Sequence, residues 1–511
     1  MTFFARLITF VVLCSSIACD GLVSEAKEWA GIHVIDSISG RGIPLVELET
    51  TNALRFVTDN NGMIAIDDPD LMNQETFFHV FGYGYEIKKD SFGISGFRCT
   101  LKRGSIVEVR LDRKCLAERM VRLTGSGLWH DSELLQQRLP LAKHPLNGKV
   151  VGQDSIQAVM YNGKVFCLWG DTSRSDYPLG LFRTSGATYA LTAIDGKLFD
   201  PSYGIPYDYF TDSTTGFVRA MMPLPERPEG VIWMSGLAVV KDEASSKDVL
   251  VAHYSRRQGL FKELEQGLAI YNESKQIFEP ITQVTNEKEW RRPHGHAMRI
   301  QDKSGDWILF GNPFPNVRVP ATLKAICDPS LYEAYSPVSS QSENVEQAMP
   351  WNWQKVVSPM DAQQEVAWLQ GEEKRKIEPH FSPVDSSSRN KRIMLHSGTV
   401  RWNKYRQKWI VIAGRIYGED SVLGEVWYSE ADEPTGPFNE AVKIATHEKQ
   451  SFYNVCHHDF LDNDGGKIIF FEGTYTNEFS GNPYKTPRYN YNQILYRLDL
   501  SDSRFQAAVN P

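Results

Sequence analysis

Asp154 and Asp171 stand at the outer ends of the stretch GQDSIQAVMYNGKVFCLWGDT, residues 152–172. Between them Ile156, Ala158 and Met160 alternate with other residues, then comes the turn Tyr161-Asn162-Gly163-Lys164, then Val165, Cys167 and Trp169 alternate again. Period-two alternation on both sides of an Asn-Gly pair predicts a β-hairpin whose turn fixes the register. The two carboxylates then project together from the edge opposite the turn, where one can yield a proton and the other accept one. The second set of reactive groups is imidazole. His294, His296, His396, His457 and His458, five of the chain's 12 histidines, all fall where apolar strands open. With Arg256, Arg415 and Tyr475 at the ends of returning strands, they have the chemistry to neutralise the carboxylate of an anionic sugar and remove the proton beside it, as a polysaccharide lyase does. The same residue types could instead hold a divalent cation such as calcium on an axis. Taken singly, each histidine reads as hydrogen-bonded packing at a strand end; their clustering points to a site without choosing a reaction.

The elements that must position these groups repeat. SGLAVV and VLVAHYSR (from Ser235 to Arg256), HGHAMRI and WILFGNP (His294 to Pro313), HSGTVRW and KWIVIAGR (His396 to Arg415), and HHDFLD and KIIFFEGTY (His457 to Tyr475) each run an apolar strand from a small or polar opening into a polar turn and back. Asn312 belongs to the returning end of the second of these. With the first hairpin they make five units, each followed by further strand-like segments such as 267–272 and 424–431. A period of this kind predicts an all-β, five-bladed propeller over residues 141–505, its first strands lining the axis and its polar openings meeting at one mouth. The expected ring is Asp154, Ser235, His294 to His296, Ser397 and His457 to His458.

At 511 residues and 41 % hydrophobic, the chain is long enough for two folded domains. Its net charge of −8 and its lack of any basic run argue against nucleic acid as a partner. Residues 1–19 read as an export signal: Arg6, a short apolar run from Leu7 to Leu13, and small residues ending in Ala18-Cys19. Cleavage after Ala18 and lipidation at Cys19 are both open, so the protein is expected to be periplasmic, at the cell surface or secreted, with any membrane attachment only through a lipid at Cys19. Cys99, Cys115, Cys167, Cys327 and Cys456 show no CxxC spacing, which gives no support to a zinc ribbon or redox motif. Cys99 and Cys115 are either a disulfide or two buried thiols.

Residues 28–115 form a separate all-β stretch with turns at Ser39-Gly40-Arg41-Gly42 and Thr58-Asp59-Asn60-Asn61-Gly62. This pattern resembles the carboxypeptidase-regulatory, transthyretin-like β-sandwiches, which implies an accessory N-terminal β-sandwich. Residues 116–140 read as a polar linker. Two insertions, Phe199 to Trp233 and Ser336 to Asn390, break the rhythm of the propeller and are expected to shape a cleft or, around 371–390, to be a surface loop.

The spacing from Asp154 to Gly170-Asp171-Thr172, and the block from Tyr453 to Leu500 with Gly473-Thr474-Tyr475 and Arg488-Tyr489-Asn490-Tyr491-Asn492-Gln493, are similar to bacterial five-bladed propellers among the glycoside hydrolases, family 43 and related arabinanase-like proteins. The resemblance implies hydrolysis of a polysaccharide or oligosaccharide. It gives Asp154 the role of base or nucleophile and Asp171 that of its partner, with the acid coming from a later blade. Glycoside cleavage needs one carboxyl to protonate the leaving oxygen and one to activate water or attack the anomeric carbon. Glu425 and Glu472 are the expected acids, each with a solvated strand-end carboxylate as its ordinary alternative. A third class is a non-catalytic glycan-binding propeller that uses Trp169, Trp233, Trp290 and Trp427 as stacking platforms, although such residues commonly pack between blades.

Overall fold

The computed structural model describes residues 28–141, 148–181, 183–191, 200–259, 261–284, 289–337, 349–370 and 376–509. The export signal with Cys19, and the charged run 371–375 of the second insertion, lie outside the described residues.

Five largely antiparallel sheets follow one another, the first interrupted by two strands of a separate sheet and the fourth extended at its outer edge by Val384–Asp385, which runs parallel to Glu440–Thr446, and Ser388–Arg392. The first contains Gln157–Tyr161, Lys164–Trp169, Ser185–Tyr189 and Asp208–Tyr209; the second Val231–Asp242, Lys247–Gln258, Lys262–Asn272 and Ile277–Val284. The two innermost strands are His296–Asp302 and Gly305–Gly311 in the third, Leu395–Asn403 and Lys408–Arg415 in the fourth, and Ser451–His457 and Ile468–Thr476 in the fifth. The first strand of each sheet neighbours the first strand of the next. Asn454 and Thr474 hydrogen bond to Ser155 and so return the fifth sheet to the first. The fold is a five-bladed β-propeller.

Apolar alternation explains the stacking, because the middle strands expose an apolar face to each neighbouring blade. On one side Val165, Cys167 and Trp169 pack with Phe470 and Leu495 of the fifth blade, and on the other Phe166 and Leu168 pack with Ile232, Leu250 and Ala252 of the second. Between the fourth and fifth blades Ile410, Ile412 and Val426 meet Phe452, Ile469 and Phe471.

The ring is closed by a strand from outside the repeats. Glu118–Arg122, within the segment expected to be linker, pairs antiparallel with Asn492–Asp499 as the fourth strand of the last blade. Its charged residues hid it: Arg119 is 2 % exposed yet donates to the Tyr496 hydroxyl at 2.9 Å and to the Pro44 carbonyl at 3.0 Å, which satisfies a buried guanidinium. N-terminal to it, two four-stranded sheets enclose one core containing Ile32, Val34, Leu48, Phe78 and Leu111. Leu45 and Val57 of that region join the core of blades four and five. Cys99 and Cys115 are free thiols, the first half-buried and the second buried.

One backbone feature recurs at the mouth end of every inner strand. Ser155 (φ 60°), Gly236 (63°), Gly295 (56°), Ser397 (52°) and Asn454 (51°) all take the left-handed conformation. In blades two, four and five the ladder slips at this residue, between Ser235 and Ala238, His396 and Gly398, and Tyr453 and Cys456. Such a bulge ends regular pairing and re-aims the side chains beside it. Side chains join these points around the axis. Asn454 Nδ2 donates to Ser155 Oγ, Ser397 Oγ donates to Asn454 Oδ1 at 2.8 Å, Asn312 Nδ2 donates to Ser397 Oγ at 3.1 Å, and Gly236 N donates to the Gly295 carbonyl at 2.9 Å. A Cβ on Gly295 would meet the Gly311 carbonyl oxygen at 2.1 Å. Gly295→Ala is therefore expected to destabilise the protein by about 1–3 kcal/mol, read as a lowered thermal midpoint. An unchanged midpoint would count against a rigid ring.

Candidate active site

The residue immediately before each left-handed position stands at the mouth: Asp154, Ser235, His294, His396 and Tyr453. The fifth member corrects the expected ring. HHDFLD is not the inner strand of blade five; Ser451–His457 is, and His458 to Leu461 lead into the turn at the opposite end. Tyr453-Asn454 lacks the small residues that open the other units, so the sequence repeat places this opening a few residues late.

Asp154 is partly exposed and densely bonded. Its Oδ1 accepts the backbone N–H of Asp171 at 3.0 Å, its Oδ2 accepts the Tyr453 hydroxyl at 3.1 Å, and the Tyr491 hydroxyl also bonds to it. The Gly170 N–H donates to its carbonyl at 2.9 Å, so the hairpin that carries both aspartates holds them side by side. Burial, and then the charge of Asp171, push the Asp154 carboxyl up to about 7 against the two tyrosines and the Asp171 N–H. Asp171 accepts the Trp233 indole N–H at 3.0 Å; burial raises its carboxyl too, and that bond lowers it in part. Trp233 reaches it because the inner strand of blade two begins five residues before its left-handed Gly236.

His294 carries the other half of the mouth. Burial, and then the positive charge of Arg292, push its imidazole down to about 4, so it is neutral at pH 7. Arg292 Nη1 lies 3.0 Å from His253 Nε2, and His253 is itself held neutral, pushed down to about 3 by burial and by Arg292. His396 is exposed and lines a cavity between blades three and four together with Asn312, Asn316, Asp361 and Tyr417.

Other expected site residues lie elsewhere. Glu425 is 0 % exposed and pairs with Arg415 at 3.0 Å while accepting the Trp427 indole N–H at 2.9 Å and the Glu419 N–H at 2.9 Å. Burial would raise its carboxyl, but these donors with Lys443 outweigh burial and lower it, which is the wrong direction for an acid at neutral pH. Arg415 is thereby committed to Glu425. Glu472 is buried on the second strand of blade five and bonds to His458 Nε2 at 2.7 Å. His458 Nδ1 and His296 Nδ1 approach Cys456 Sγ at 3.8 Å and 3.7 Å, a sealed cluster below the ring. His457 is buried against Asp462 at 2.9 Å. Trp169 fills the core between blades one and five, Tyr475 is buried against Thr486, and Arg256 is tied to Glu265 at 3.1 Å. Among the described residues no three His, Cys, Asp or Glu side chains are arranged to hold a metal ion.

His253 and Arg292 carry no sequence signal, and Tyr453 and Tyr491 stand out in the sequence only as members of the C-terminal block, without a role at the site. The signal for Tyr453 was its place one residue before a left-handed position, which only the correct register of the fifth unit reveals.

Among solved structures, the chain is similar to a Bacteroides ovatus protein described as a hydrolase, at 12 % identity and a TM-score of 0.39, covering 68 % of this chain and 85 % of that one. It is also similar to an exo-1,5-α-L-arabinanase from a bovine ruminal metagenomic library, at 10 % identity and 0.33, covering 69 % and 95 %. A third is the Penicillium chrysogenum α-L-arabinanase complexed with arabinobiose, at 10 % and 0.34, covering 68 % and 94 %. No family model and no curated protein matches the sequence.

Proposed function

We propose that the chain is an exported glycoside hydrolase whose proton-transferring group is Asp154. The observation that carries this is a partly exposed carboxyl at the propeller mouth, raised to about 7, beside a second carboxyl on the same hairpin. A group that titrates near neutrality suits both giving and taking a proton. With Glu425 and Glu472 buried away from the mouth, the donor role passes to Asp154. Its proton goes to the leaving glycosidic oxygen as the bond to the anomeric carbon breaks. Water adds to that carbon, and Asp171 takes the proton the water loses. Tyr453 and Tyr491 hold the Asp154 carboxyl in place, and Trp233 does the same for Asp171.

A second reading follows from His294: a neutral imidazole beside Arg292 has the pairing a lyase needs for proton removal next to a neutralised carboxylate. Incubating the purified protein with a glycan panel, and measuring reducing ends and unsaturated uronic products together, separates the two. New reducing ends without unsaturation are expected. Unsaturated products that vanish in His294→Ala but persist in Asp154→Asn would establish the lyase instead, and no cleavage of any kind would leave a glycan-binding propeller.

A further inference from the structure

Second and third strands of a blade are joined on the mouth face, and these loops share a feature. Blade five carries Phe479 there, 62 % exposed, and blade four carries Tyr417, 69 % exposed. Both are held in the left-handed backbone conformation, at φ 61° and 59°. The corresponding loops of blades one and two present Tyr177 and Phe261, each also more than half exposed. An aromatic side chain gains no burial by standing in water, and a bulky residue at positive φ costs conformational energy that glycine would avoid. Finding both in the same loop of adjacent blades points to use rather than packing.

The surroundings show these loops to be built. Asn477 N donates to Asn490 Oδ1 at 2.9 Å, its Nδ2 donates to the Asn482 carbonyl at 2.9 Å, and Ser480 Oγ donates to the Asn477 carbonyl at 2.6 Å. Phe479 then meets Tyr453 edge to face with ring centroids 5.9 Å apart, and Tyr453 is the residue that donates to Asp154. Tyr417 lines the cavity that contains His396 and Asn312, and Asn312 belongs to the hydrogen-bonded ring that leads through Ser397 and Asn454 back to Ser155. Asn316, in the same cavity, is held in place, its Nδ2 donating to the Met360 carbonyl at 2.9 Å and its side chain bonding to His294.

We infer that Phe479 and Tyr417 are stacking platforms for separate units of one glycan chain, which lies across the mouth from Asp154 on blade five's side to the cavity between blades three and four. Flat aromatic rings receive the C–H faces of sugar rings, while the exposed His396 supplies hydrogen-bonding groups for hydroxyls. The substrate is accordingly an oligosaccharide or polysaccharide rather than a monosaccharide glycoside. The inference rests on the glycan reading of the same mouth.

The test is calorimetric binding of arabinan, xylan and galactan oligosaccharides of one to six units to full-length Asp154→Asn protein, which cannot consume them on that reading. Affinity should rise with length, and adding Phe479→Gly or Tyr417→Gly should weaken the longest bound oligosaccharide about tenfold each, the size of one lost aromatic contact. Because glycine relieves the positive φ, neither change should lower the thermal midpoint. A residue present only for structure would do the reverse. Affinity independent of length, glycine variants that bind as before, or no binding by any of the series overturns the inference. Length-dependent, platform-dependent binding by a wild-type protein that cleaves nothing would remove the hydrolase reading and leave the platforms; cleavage with binding untouched by both variants would do the opposite.

Discussion

Asp154→Asn is expected to lower glycan cleavage by about a thousandfold, the middle of the range for losing a proton-transferring side chain with its geometry kept. Asparagine keeps an amide oxygen to accept from the Asp171 N–H, and its amide N–H can donate to the Tyr453 hydroxyl oxygen in place of the carboxylate that accepted from it, so the hairpin and the mouth should persist. The same change should make the protein more stable at neutral pH. The folded carboxyl is raised from 3.8 to about 7, so between those values the native state keeps a proton that the unfolded chain has released. Stability contributed by this group is therefore full below pH 3.8, falls as pH rises, and is lost above about 7. Thermal scans should show the variant melting above the wild type at pH 7.5 and alongside it near pH 4. A variant that melts lower at pH 7.5 would mean that Asp154 is a structural carboxylate and not a strained functional one.

The second large effect has the opposite character. Glu425→Ala leaves Arg415 buried without its carboxylate and strips partners from Trp427 and the Glu419 N–H. Breaking a buried pair in this way costs about 3–5 kcal/mol. The thermal midpoint should fall sharply, while kcat per folded molecule stays within a few-fold of the wild type. The pH signature is reversed as well: a lowered carboxyl adds stability at neutral pH that disappears as pH falls through its folded value. A variant of normal stability with abolished turnover would return Glu425 to the role of acid.

The contrast between these two residues shows what could be read from the chain alone. Strand–turn–strand patterning located the hairpins of blades one to four because their middle strands are apolar on both faces, as Val165 to Trp169 and Lys408–Arg415 illustrate. It missed the closing strand Glu118–Arg122, whose Arg119 guanidinium is satisfied in the interior by carbonyls of the N-terminal region and by the Tyr496 hydroxyl 377 residues away. It misplaced blade five because Tyr453-Asn454 does the work of a small-residue opening through the left-handed tolerance of asparagine. Asp154 and Asp171 could be paired from local register, whereas the fates of Glu425, Glu472 and His457 depend on which strand face turns toward a neighbouring blade. Spacing along one strand carries no record of that packing.

The pH dependence of kcat/KM on a cleaved oligosaccharide tests the central claim most directly. If Asp154 donates the proton, activity should decline above a limb near pH 7, one log unit per pH unit, as the carboxyl whose value is about 7 ionises. A profile flat from pH 5 to 9, or one that rises through pH 7, would contradict Asp154 as the proton donor at the propeller mouth.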